Sequence, residues 1–303
     1  MEFGSKLWLN GQILDANKVS ASLFTYSLHY STAVFEGIRC FKAKKGLIVF
    51  RLKEHVSRLF NSAKEYNLII PYTETQIIEA CKQVVRENGS KDFYIRPLVY
   101  YGTGALGLNA SGNPVETAIM VWMWPSYLGK EGKDEGVRCT VSSWRKIPNE
   151  SLPQYAKCTA NYANSSLAKR QAIERGYEEA ILLNTKGTVA ECTGENLFIV
   201  ENGNLKTPPL SAGILEGITR DSIITIAKKL NIPVAETDIT TEELMSADEA
   251  FLTGTAAGLK FVSEIDSRKL NVKNAQVYEK LKNFYNRVIS GQESDFDEWL
   301  DKV

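Results

Sequence analysis

LPQYAKCTANYANSSLAK, residues 152–169, holds one charged side chain, Lys157, between Leu152 and Ala168. The nearest other charges are Glu150 and Lys169. A nucleophilic lysine must spend time as the free amine, and burial or a cationic neighbour lowers its ordinary pKa of ~10.4. Composition alone leaves two readings open. Lys157 is either a Schiff-base lysine or a lysine whose stem packs on Tyr155 or Tyr162 while its head reaches water.

Outward from that stretch the chain alternates between strand-like and helix-like patterns. Towards the N-terminus, VRCTVSSW (137–144) and the aromatic, β-branched runs DFYIRPLVYYG and ETAIMVWMW read as strands. TETQIIEACKQVVRENG opens with a capping box, Thr73 to Gln76, and closes at Gly89. KEHVSRLFNSAKEYN places Val56, Leu59 and Phe60 at helical spacing. FEGIRCFKAKKGLIVFRL predicts two strands around Lys44-Lys45-Gly46, and KLWLNGQIL a hairpin turning at Asn10-Gly11. Towards the C-terminus, a helix is expected over roughly 161–175. It is followed by a meander with turns at Lys186-Gly187 and Asn202-Gly203, then a helix with Thr219 as N-cap. A short helix, a strand breaking at Gly254 and an amphipathic helix in AQVYEKLKNFYNRVIS complete the chain.

PSYLGKEGKDEG (125–136) is polar and glycine-bearing, and it marks the expected division. Residues 1–124 form a small N-terminal α/β domain, 125–136 a connection, and 137–303 a large C-terminal domain. The class is mixed, α/β (α+β), in two parts.

The 303 residues carry 36 basic and 36 acidic side chains, with 44% hydrophobic and 24% charged content. A balanced charge argues against a polyanion partner such as nucleic acid. No apolar run reaches the ~18 residues of a membrane span, and MEFGSKLWLN lacks an export-signal layout. A cytoplasmic location is the expectation. Cys40, Cys81, Cys139, Cys158 and Cys192 are odd in number with no CxxC, and there are only two histidines, His29 and His55. Neither a disulfide framework nor a metal site follows.

Three further features bear on chemistry. Glu191, in TVAECTGENLFIV, shares a strand face with Val189 and Thr193, and a carboxylate there wants a partner. It reads as the partner of a pyridine-ring nitrogen or as an edge-strand surface residue. EGITRDS and TGTAAG offer small-residue turns whose N–H groups suit a phosphate, with Arg58 a candidate cation; each is equally an ordinary turn. Arg39 and Arg96, on aromatic strands, suit either bidentate carboxylate binding or structural ion pairs.

Seven segments occur together and in order: HYSTAVFEGIR (29–39), FRLKEHVSRL (50–59), YIRPL (94–98), AKCTANY (156–162), ECTGENLF (191–198), GITRDS (217–222) and GTAAG (254–258). This pattern resembles the class IV, or fold type IV, aminotransferases that use pyridoxal 5'-phosphate (PLP), with the branched-chain amino acid aminotransferases nearest. The resemblance implies a D-amino acid aminotransferase-like fold of two domains with the cofactor at their interface. It implies reversible ping-pong transfer of an amino group from leucine, isoleucine or valine to 2-oxoglutarate. Lys157 would carry PLP and shuttle the Cα proton, and Glu191 would pair with the ring nitrogen. Arg58, the amides of Ile218 and Thr219, and Thr255 would hold the phosphate. Tyr162 would bond the ring hydroxyl and Leu215 would pack on a ring face. Tyr94 and the amides of Thr255 and Ala256 would hold the α-carboxylate. Tyr30, Phe35, Gly37, Arg39, Tyr127 and Tyr162 would line the substrate side. Arg96, helped by Tyr30, would serve the second carboxylate of glutamate. Leu106 or Leu108 would reach a neighbouring subunit, in a homodimer at least, with a homohexamer compatible.

The pattern departs from the family in places. Cys158 and Thr159 stand where relatives often carry smaller residues. Lys146, beside Arg145, takes the place of a second phosphate-side arginine. Glu216 replaces a more usual proline, and the alignment does not decide between Trp122 and Trp124 at the substrate. A D-amino acid aminotransferase and an aminodeoxychorismate lyase share the fold. A binding protein on the same scaffold would form no imine at Lys157.

Overall fold

The computed structural model describes residues 1–43, 46–124, 128 and 136–303. The expected turn at Lys44-Lys45 and most of the 125–136 connection lie outside the described residues. The chain divides into two compact units. The first comprises Met1–Pro125, Ala156–Ala160 and Val288–Val303; the second comprises Ser126–Tyr155 and Asn161–Arg287. Two stretches of the C-terminal half, 156–160 and 288–303, thus make their contacts in the first unit.

The first unit is an antiparallel sheet covered on one face by helices Leu52–Glu65 and Glu74–Asn88. Its strand order is Leu300–Lys302, Gly46–Phe50, Ile38–Ala43, Phe93–Tyr101, Val115–Met123, Lys6–Leu9 and Gln12–Asp15. The hairpin forms at Asn10 (φ 47°) and Gly11 (φ 91°), where left-handed backbone favours these residue types. The Thr73–Gln76 capping box is present with both reciprocal bonds. Alternation on Phe93–Tyr101 divides its side chains. Phe93, Ile95, Val99 and Tyr101 enter the helix-covered core, which leaves Tyr94 and Arg96 on the opposite face. The C-terminal strand Leu300–Lys302, which no periodicity announced, completes the sheet edge beside Gly46–Phe50.

The second unit is a mixed sheet in the order Val189–Cys192, Glu179–Leu183, Val137–Arg145, Gly258–Ile265, Glu249–Gly254, Asn196–Glu201, Asn204–Thr207 and Val234–Glu236. Helices Asn161–Glu174, Ile218–Lys229 and Thr241–Ser246 belong to it. The turn at Asn202-Gly203 joins paired strands as expected. The meander is not continuous, because Val189–Cys192 and Asn196–Glu201 take separate places in the sheet. Thr193 donates to the buried Glu179 carboxylate from N (3.3 Å) and Oγ1 (2.6 Å), which turns the chain between them. Thr219 is not the N-cap. The helix begins at Ile218 with Gly217 as its cap, and a Cβ on Gly217 would lie 1.9 Å from Asn196 Oδ1. That close approach excludes a capping side chain.

Candidate active site

Residues 156–160 attach to the first unit as an extra strand-like edge. Phe35 N donates to Lys157 O (3.0 Å), and Thr159 N to Ala33 O (2.8 Å). Ser62 Oγ, from helix Leu52–Glu65, accepts from Lys157 N at 2.9 Å. Val34 and Cys158 face each other across this bridge and both enter the helix-covered core. Alternation sends the neighbouring side chains, Phe35 and Lys157, the other way. Lys157 Nζ accordingly sits 5.0 Å from the Phe35 ring centroid. Burial lowers the Lys157 pKa to about 8, Arg58 and Arg96 add to that, and Glu36 and Tyr94 oppose it. An ammonium surrounded by cations in a poorly hydrated place gives up its proton readily.

Beneath the lysine lies a polar cluster that composition did not single out. Glu36 (0% exposed) and His55 (1% exposed) are buried, with His55 Nδ1 2.7 Å from Glu36 Oε2. Arg58 is forked onto the same carboxylate, Nε to Oε1 at 2.6 Å and Nη2 to Oε2 at 2.9 Å. Burial alone would raise the Glu36 pKa, but Arg58 and His55 outweigh it and hold it far below the usual carboxylate range. Burial lowers the His55 pKa against the pull of Glu36.

On the opposite face of the same sheet, Tyr94 pairs in register with both Arg39 and Trp122. The Arg96 guanidinium lies over Phe35 (4.5 Å), Trp122 (5.1 Å) and Tyr94 (5.4 Å). Among the described residues its buried Nε has no hydrogen-bond partner, nor does Trp122 Nε1. Arg39 Nη1 donates to Trp124 O (3.2 Å) and lies over Phe41. Among the described residues neither arginine forms an ion pair. Gly37 is required by close approach, since a Cβ there would fall 1.8 Å from Tyr94 Oη. Trp122 is the tryptophan that lies against Arg96, while Trp124 meets Tyr94 edge-on. Tyr30 stacks at a tilt on Tyr26 (4.6 Å), and Tyr127 lies outside the described residues. Leu106 and Leu108 are exposed.

In the second unit, Glu191 is buried and heavily engaged. Lys146 Nζ lies 2.6 Å from its Oε1, and Asn196 Nδ2 (3.0 Å) and Leu215 N (3.1 Å) donate to its Oε2. Lys146 therefore serves this carboxylate. The expected phosphate-side lysine makes its short ion pair with Glu191. The edge-surface reading of Glu191 fails, because its strand, although at the sheet edge, is buried throughout. Asn196 Nδ2 also donates to Leu215 O (3.0 Å) and so ties Glu191 to the approach of helix Ile218–Lys229. Thr255 and Ala256 lie in the turn between Glu249–Gly254 and Gly258–Ile265, and Tyr162 lies in the first turn of helix Asn161–Glu174.

A family model described as amino-transferase class IV matches residues 33–265. The chain belongs to the class IV aminotransferases. It is 40% identical to a branched-chain-amino-acid aminotransferase of Pseudomonas aeruginosa over 97% of this chain and 95% of that one. Among solved structures, a branched-chain aminotransferase of Thermoproteus uzoniensis with norvaline superposes with a TM-score of 0.94 at 43% identity, covering 98% and 99% of the two chains. A branched-chain amino acid aminotransferase of Escherichia coli gives 0.96 at 37%, covering 99% of each chain. Another solved branched-chain amino acid aminotransferase, complexed with N-(5'-phosphopyridoxyl)-L-glutamate, gives 0.94 at 40%, covering 100% and 99%. The fold is therefore that of the fold type IV aminotransferases.

Glu36, His55, Ser62 and Asn196 were missed as site residues. Glu36 did carry a signal, a lone carboxylate in the apolar run AVFEGI. His55, Arg58 and Ser62 repeat at i, i+3 and i+7 on one helix, a polar stripe within an amphipathic pattern.

Proposed function

We infer that this chain is a PLP-dependent branched-chain amino acid aminotransferase, exchanging the amino group of leucine, isoleucine or valine with that of glutamate. The observation that carries the reading is Lys157: a lysine clamped by backbone bonds on one sheet edge, its amine pulled down to about 8. The donors present fit PLP by their chemistry. There is an amine for an aldehyde, a buried carboxylate for a ring nitrogen, and an arginine and a side-chain-free helix cap for a phosphate.

Lys157 Nζ would be the amine that holds the cofactor and, once freed by the incoming substrate amine, would take the proton from the substrate Cα. Bound PLP supplies the electron sink for loss of that proton. Lys146, Asn196 and the Leu215 amide orient the Glu191 carboxylate, which would hold the proton at the ring nitrogen. Arg58, the amides of Ile218 and Thr219, and Thr255 would hold the phosphate. Tyr162 would bond the ring hydroxyl and Leu215 would pack on the ring. Tyr94, Thr255 and Ala256 hold the α-carboxylate. Tyr30, Phe35 and Trp122 give apolar walls that accept an aliphatic side chain and exclude water. Arg96, with its buried Nε lacking a partner among the described residues, binds the second carboxylate of glutamate. The same residues would thereby serve both substrates. Arg39 holds the 124 carbonyl beside it.

The reading extends to a cytoplasmic homodimer, with the exposed Leu106 or Leu108 reaching the other subunit; among the described residues no helix is long and apolar enough to cross a membrane. Incubation with L-leucine and 2-oxoglutarate is expected to yield L-glutamate and the 2-oxo acid. Turnover confined to D-alanine would overturn the reading.

A further inference from the structure

In the first unit, Arg58 meets two buried groups, Glu36 and His55, that the proposed reaction does not use directly. Helix Leu52–Glu65 presents His55, Arg58 and Ser62 along one stripe. The first two converge on Glu36, a carboxylate with no exposed surface. Its Oε2 accepts from Arg58 Nη2 (2.9 Å) and Gly37 N (3.2 Å), and lies 2.7 Å from His55 Nδ1. An ionised carboxylate only accepts, so His55 donates from Nδ1. Burial, with Arg58 and Lys157 nearby, favours the uncharged imidazole. His55 thus supplies a hydrogen bond without adding a charge, and Glu36⁻ and Arg58⁺ remain matched. The fork commits the Nε–Nη2 edge of Arg58 to Glu36, which fixes the plane of the guanidinium and turns Nη1 away from that carboxylate.

We propose that Glu36 and His55 are positioning residues that hold the Arg58 guanidinium for a phosphate ester, so that a buried histidine–carboxylate pair sets how strongly this chain prefers a phosphorylated cofactor to its dephosphorylated form. This rests on the reading of Arg58 as a phosphate contact. A purely structural cluster would stabilise the fold and leave that preference alone.

The test measures equilibrium binding of PLP and of pyridoxal, which lacks the phosphate, to the PLP-free full chain. Arg58→Ala is expected to weaken PLP about 100-fold and pyridoxal far less, the scale of losing a charge-assisted fork. His55→Ala is expected to weaken PLP about tenfold, the scale of one hydrogen bond to a charged group, with pyridoxal within about twofold. His55→Asn, whose amide nitrogen stands near the place of Nδ1, should recover most of the loss. If Arg58→Ala leaves the ratio of the two affinities unchanged, the phosphate role of Arg58 fails and the proposal with it. If Arg58→Ala lowers the ratio but His55→Ala weakens both ligands equally, or neither, the positioning role alone is overturned.

Discussion

Lys146 and Lys157 lie close in sequence and are treated in opposite ways. Lys146, in the second unit, is buried with a carboxylate oxygen 2.6 Å away. Lys157, in the first, is partly buried beside an aromatic ring and the cations Arg58 and Arg96, while the nearby Glu36 is forked by Arg58. The difference shows how one residue type is made either an anchor or a reagent. A carboxylate in direct contact ties the side chain into an ion pair. Cations and burial, with the available carboxylate bonded to another partner, release the amine.

The largest expected effect breaks the reagent. Lys157→Ala should lower kcat at least about 10⁴-fold, the upper range for a general base that is also the nucleophile, with the circular dichroism of the fold unchanged. Full turnover without added amine would remove the distinction between the two lysines.

A pair of apolar replacements sharpens it. Lys146→Met leaves Glu191 buried without its cation and should cost about 3–5 kcal/mol, read as a lowered urea midpoint of the PLP-free chain. Lys157→Met removes an ammonium from an unfavourable place and should leave stability unchanged or raise it by about 1 kcal/mol. Equal losses in both would contradict the comparison.

Arg96→Gln probes the substrate face beside Lys157. The KM for 2-oxoglutarate should rise about tenfold or more, while that for leucine changes by less than about threefold, since only the former needs the guanidinium. Equal rises would show Arg96 acting on the walls of the pocket.

The smallest perturbation is pH alone. Amine-directed modification of Lys157 in the PLP-free chain should rise with a midpoint of about 8, where the ordinary value is 10.5. Below that midpoint the ammonium is inert and above it the amine reacts. The sign for stability follows: between the lowered and ordinary values the unfolded chain binds the extra proton, so this lysine adds stability as pH rises through that window.

Local elements were legible where their chemistry is local. The Asn10-Gly11 hairpin, the Thr73 capping box and the main helices follow from turn residues, caps and period. Contacts set by tertiary approach were not. Thr219 looked like a cap because nothing in its neighbourhood announces that Asn196 occupies the space above Gly217. Lys146 and Glu191 are far apart in sequence, and only the parallel pairing of Val137–Arg145 with Glu179–Leu183, and the antiparallel pairing of Glu179–Leu183 with Val189–Cys192, bring their strands together. Tyr94 and Arg96 were found, but the face they occupy depends on which side of the sheet the helices cover.

Borohydride reduction of the PLP-loaded protein, followed by peptide mapping, tests the central claim most directly. The phosphopyridoxyl group should be found on one peptide, at Lys157, with loss of the yellow colour. A label on Lys146 or another lysine, or a protein that takes up PLP without being fixed by reduction, would contradict it.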